Sequence, residues 1–265
     1  MLGKLLKYEL KAMGRVMLPL YGVMAFAAVL FAFNQKIKMS GTTKFLINQF
    51  AIITGVLFGA AVLIAVVVMA LIVIQRFYKN LLQTEGYLMF TLPAATHEHI
   101  LSKALSSFIW ILAGILVGGI SGCLMISIVT DFGEFMDEVY RAWEFISPDR
   151  QVGPLIWFAV MLVMGLFESL IKVYAAMAVG HQLRTHRALG SVGAYIGFGV
   201  IESLAAWGMS KLGILQRGIN LVVTDSGVME GGVPAMQRAI GASAALLVLY
   251  GLLCWYLLDR RLNLE

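Results

Sequence analysis

Two carboxylates and an ammonium group stand where the chain is otherwise apolar. Glu168 and Lys172 lie four residues apart in the apolar segment 154–179, and Glu202 lies midway along the segment 191–209. Positions four apart share one face of a helix, and an acid N-terminal to a lysine is the better orientation for a helical ion pair. Glu202 has no cation one turn away on its own segment. A charge at the centre of a bilayer costs about 2.5–3.5 kcal/mol on insertion scales, so such residues turn toward a bundle interior or a watery path. The trio has two uses. Lys172 can bridge both carboxylates, or snorkel along its stem to the membrane surface, and the group is then a paired core. Alternatively the three line a substrate route, where Glu168 and Glu202 tolerate polar groups and Phe167, Phe198 and Trp207 supply the apolar wall.

Other combinations point away from chemistry. His97-Glu98-His99 places its histidines on different helix faces, and the HExxH spacing of a zinc site is absent. His181 and His186 bracket a short basic stretch, and no metal site is expected there. Thr96 with Glu98 reads as the capped start of a helix. No histidine falls inside a predicted span, which removes a serine–histidine nucleophile. The GxxxxGK[ST] phosphate loop does not occur, so ATP hydrolysis by that device is not expected of this chain. Cys123 and Cys254 both fall in apolar segments and read as small core residues.

The elements that must position these groups are membrane spans. Of 265 residues, 60% are hydrophobic and 13% charged, with mean hydropathy +0.86. Soluble domains run at about 45–50% and about 25%. Six segments, residues 17–33, 52–74, 104–129, 154–179, 191–209 and 239–258, are long enough to cross or nearly cross a core about 30 Å thick. The expected fold is an all-α integral membrane protein with six spans in a single domain over 1–265. Glycines four apart (Gly55 and Gly59; Gly114, Gly118 and Gly122; Gly193 and Gly197) mark faces where helix backbones approach closely.

Residues 1–16 form an amphipathic helix. Lys4, Lys7, Lys11 and Arg15 share one arc, opposite Leu2, Leu5, Leu6, Leu10, Met13 and Val16, as in a helix lying in the headgroup region. Glu9 falls among the apolar residues and wants a cation, with Arg76 the expected partner. An even number of spans puts both termini on one side. That side holds 11 Lys and Arg and the other 8, which makes the termini cytoplasmic and 131–153 and 210–237 extracellular loops. A net charge of +5 is too small to suggest nucleic acid. Within 131–153, Phe132, Phe135, Met136, Val139, Trp143 and Ile146 recur at helical spacing among six acids, predicting a helix on the outer membrane surface. Residues 212–223 are too short and polar to span, and predict a re-entrant or surface hairpin before the last span.

The connector 75–103 between the second and third spans is the least ordinary stretch. After Glu85-Gly86 come Tyr87, Leu88, Met89 and Phe90, then Thr91-Leu92-Pro93. Large apolar side chains on a water-facing connector either tuck back against the membrane interface, where Tyr and Phe are at home, or need a greasy partner surface, as a short docking helix would have. An acid, a glycine, a short apolar helix, a proline and a lysine leading into the next span resemble the coupling loop of type-two ABC exporter permeases. The matching positions are Glu85, Gly86, Leu92, Pro93 and Lys103, with Tyr87, Leu88 and Met89 where that family has threonine and a second acid. Those permeases also carry an acid in the N-terminal helix, as Glu9 does here. The resemblance implies a membrane subunit without ATP-hydrolysing machinery of its own. It implies a short cytoplasmic coupling helix docked on a separate ABC ATPase, two copies of which hold ATP and Mg. A second permease subunit, identical or a close homologue, completes the assembly in the plasma membrane. Among such permeases the compact build is similar to exporters of phenol-soluble modulins and lantibiotic-immunity pumps, implying export of amphipathic peptides or other hydrophobic compounds. The rival readings are a proton-driven secondary transporter, against which the two three-span halves show no repeat, and a non-transporting scaffold or sensor.

Overall fold

The computed structural model describes residues 2–36, 42–82, 95–129, 132–145, 152–183, 186–211 and 232–260. Among them the chain forms seven α-helices: α1 (Leu2–Lys36), α2 (Thr42–Phe77), α3 (Thr96–Val129), α4 (Phe132–Phe145), α5 (Val152–Gly180), α6 (Arg187–Lys211) and α7 (Gly232–Arg260). A single π-helical turn, Tyr78–Leu82, continues α2. All but α4 are long and apolar enough to cross a membrane. The chain is therefore an all-α, multi-pass membrane protein, and its many exposed Leu, Ile, Val and Phe side chains face lipid rather than water.

One expectation about the first span meets a different outcome. No helix ends at Val16: residues 2–36 are one continuous helix with Pro19 inside it. Proline removes a single N–H from the ladder, and Pro19 does so at an exposed position. The basic residues Lys4, Lys7, Lys11 and Arg15 are all exposed. On the opposite side Glu9, Met13, Met17, Tyr21, Met24, Ala28 and Ala32 are buried, at spacings of three and four that keep one face turned inward.

The residues fall into two compact units. The first comprises Gly3–Val73 and Leu105–Trp143. Here α1 and α3 run parallel, since contacts from Gly14 to Trp110, Tyr21 to Gly114 and Met24 to Gly118 advance together. Tyr21 donates a 2.6 Å hydrogen bond to the Trp110 carbonyl. A Cβ on Gly114 would lie 2.6 Å from Met69 Cε and 2.9 Å from the Tyr21 hydroxyl, so this glycine is where three helices meet. An apolar cleft of about 340 Å³ runs between α1 and α2, lined by residues such as Leu20, Phe26, Leu57 and Ile64. The amphipathic α4 folds over α3, and Phe132 and Phe135 roof a groove of about 450 Å³ above Leu116, Ile120 and Leu124. Its Glu134, Asp137, Glu138 and Arg141 are exposed.

The second unit comprises Met1–Leu2, Ile74–Ala104 and Glu144–Glu265, with α5 packed along both α6 and α7. Its densest core gathers at one end. Phe77, fully buried, stacks on Tyr174 with centroids 4.1 Å apart and planes 12° from parallel. The Tyr174 hydroxyl donates to the Lys103 carbonyl at 3.5 Å. Tyr78 meets His181 edge to face, and Leu81, Leu82, His99, Ser102 and Lys103 are buried with them. Thr96 starts α3, yet its hydroxyl bonds Asp259 of α7 at 3.1 Å rather than capping its own helix. At the α5–α6 turn a Cβ on Gly180 would stand 2.2 Å from the Ser191 nitrogen, so the backbones touch and only glycine fits. Gly193 and Gly197, singled out by their spacing, have nothing within 4 Å.

Candidate functional site

Three helices of the second unit converge on the intramembrane charges. Along α5, Glu168 and Lys172 share a face; along α6, Tyr195, Phe198, Gly199 and Glu202 do; along α7, Ser243 and Tyr250 are two turns apart. Lys172 Nζ forms an ion pair with Glu202 Oε2 across the α5–α6 interface. The Tyr250 hydroxyl donates to Glu202 Oε1, so both carboxylate oxygens are engaged. The ammonium also lies 5.1 Å from the centroid of the Tyr195 ring, within cation–π range. Gly199 leaves it room, since a Cβ there would reach only 3.9 Å from Nζ. Phe198 flanks the group, its ring 5.0 Å from that of Tyr250.

Glu168 is treated differently. Lys172 and the Ser243 hydroxyl of α7 both act on it electrostatically, and among the described residues it forms no ion pair. The helical pair suggested by the four-residue spacing thus gives way to an interhelical one. A lysine side chain that finds a carboxylate and an aromatic face on the next helix gains more than one aligned with an acid on its own. The arrangement holds the lysine ammonium between a carboxylate and an aromatic ring. The nearby hydroxyls of Ser169 and Ser203 are spent on carbonyls of their own helices, at 2.9 and 2.7 Å.

The remaining candidates lie elsewhere. Trp207 is 63% exposed, with Lys211 Nζ 5.8 Å from its ring centroid. Glu9 is buried in the inner stripe of α1. The coupling residues Glu85, Gly86, Tyr87, Leu88, Met89, Phe90, Leu92 and Pro93 lie outside the described residues, as does the hairpin expected at 212–223.

No family model, curated protein or solved structure matches the chain. Its function is therefore read from its own residues. Three members of the network were not singled out from sequence: Tyr195, Ser243 and Tyr250. A signal existed, because Tyr195 precedes Glu202 by seven residues, and Ser243 precedes Tyr250 by the same interval. Seven residues return a helix to nearly the same face, so both pairs mark polar stripes on otherwise apolar spans.

Proposed function

We propose that the chain is the membrane subunit of an ABC-type exporter, working with a second permease copy or close homologue and two copies of a separate ATPase in the plasma membrane. Closure of the ATPases on ATP would press on the connector and rock the spans, opening a route for amphipathic peptides or other hydrophobic compounds. The observation that supports this reading is how the connector is anchored. Both of its flanks, the π turn Tyr78–Leu82 and the start of α3, are tied into α5 and α7 by Phe77–Tyr174, Tyr174–Lys103 and Thr96–Asp259. A push on 83–94 would reach the helices that hold the charged network. A proton-driven transporter is the second reading, favoured by Glu168, a membrane-depth acid without an ion pair among the described residues.

Affinity purification of the full chain from native membranes should bring down an ATP-hydrolysing subunit, and Leu88→Asp with Phe90→Asp should lose it while the permease stays folded in detergent. ATPase association that survives the double substitution overturns the docking role. Orientation is checked in a Cys123→Ser, Cys254→Ser background. A cysteine at Tyr140, 66% exposed on α4, should label in intact cells, and one at Leu88 should not.

A further inference from the structure

We propose that Glu202, Tyr195 and Tyr250 form a binding site for the ammonium group of an amphipathic cation, and that Lys172 occupies it as a tethered stand-in until such a ligand arrives. The pieces are those that recognise ammonium ligands elsewhere in chemistry: a carboxylate for the charge, steadied here by the Tyr250 hydroxyl, and an aromatic face for the cation. Lys172 shows the fit directly, with Nζ paired to Glu202 and lying 5.1 Å from the Tyr195 ring centroid.

The charge count makes exchange feasible. The network holds two carboxylates and one ammonium, and Glu168 has no ion pair among the described residues. Glu168 precedes Lys172 by four residues on the same helix, where a lysine can reach it. An arriving ammonium takes over Glu202 and the Tyr195 face, and Lys172 swings back to Glu168. Two carboxylates then face two ammonium groups, a balance that a neutral ligand of the same shape cannot bring. Access is open, since the Glu202 side chain keeps 23% of its exposure. One turn along Glu202's own face of α6, Ala205 and Ala206 are exposed, a surface for an alkyl tail. The ligand class is accordingly a long-chain primary amine, or a peptide lysine beside apolar residues.

The use of this site in transport rests on the exporter reading. Binding does not, and is measured on the full chain in maltoside micelles without any ATPase. Octylammonium should raise the melting temperature saturably, and octanol should not. Glu202→Gln should abolish the ammonium-specific shift. Lys172→Met removes the competitor and should tighten octylammonium binding about tenfold, the gain expected when the competent fraction rises from about a tenth to unity. Should that variant fail to fold, Glu168→Gln serves, because it leaves the Lys172–Glu202 pair intact but denies Lys172 its retreat; binding should weaken about tenfold by the same relation. Equal shifts from octylammonium and octanol, an undiminished shift in Glu202→Gln, or weaker binding in Lys172→Met overturns the proposal. A parent chain that brings down no ATPase, with the ammonium shift intact, would overturn the exporter reading alone.

Discussion

Helix α5 belongs to two regions of opposite character. Toward Gly180 it is locked: Tyr174 stacks on Phe77, and the Gly180 backbone touches that of Ser191. Just before Tyr174, at Glu168 and Lys172, it meets polar groups of α6 and α7. The locked end has one arrangement, because close-packed surfaces give way only at a cost. On the exchange proposed above the polar stretch has two, with the lysine on either carboxylate. A helix fixed at one end and re-pairable beside it would act as a lever.

The sharpest way to break this contrast is at the locked end. A leucine at Gly180 must displace backbone, not the tip of a side chain, so Gly180→Leu should exceed the usual overpacking cost of about 1–3 kcal/mol and leave no monodisperse protein on size exclusion. Gly193→Ala, with open space around it, should melt within a degree or two of the parent or slightly above. The polar region should be more forgiving when treated as a pair. Lys172→Ala strands the Glu202 carboxylate and should cost about 3 kcal/mol, toward the lower end for a broken buried pair because Glu202 keeps some exposure. Lys172→Met with Glu202→Leu should recover most of that in a denaturation series. A double variant as unstable as the single one would mean that the network is as rigid as the glycine contact. The smallest effect belongs to Thr96→Val. It removes one exposed hydrogen bond to Asp259 and should cost about 1 kcal/mol or less by thermal melt.

The spans were legible in the sequence because each is a long apolar run, and the polar intruders stood out against them. Their pairing was not legible. Lys172 had an acid one turn away on its own helix and chose Glu202, a choice set by how α5 and α6 pack rather than by spacing. Tyr250 and Ser243 come from a helix some seventy residues further on, and nothing local marks their partners. The glycine pattern shows the same limit. Stripes four apart rightly marked Gly55 and Gly114, whose added Cβ would crowd Phe31, Met69 and Tyr21, but also Gly193 and Gly197, where it would meet nothing within 4 Å among the described residues; the closest approach, at Gly180 and Gly190, lies at helix ends where no stripe can form. The boundary at Val16 failed for a related reason. A change from a basic to an apolar face alters a helix's surroundings without interrupting its backbone ladder.

The sequence distance between partners also orders events during synthesis. Gly180 and Ser191 are eleven residues apart, and Lys172 and Glu202 are thirty. Tyr250 lies forty-eight beyond Glu202, and Asp259 lies 163 beyond Thr96. The α5–α6 hairpin can therefore close, and join its lysine to its glutamate, before α7 has left the ribosome. Two charges that would each resist lipid by about 2.5–3.5 kcal/mol can then be inserted together as one neutral pair. Ser243 and Tyr250 reach the two carboxylates only afterwards.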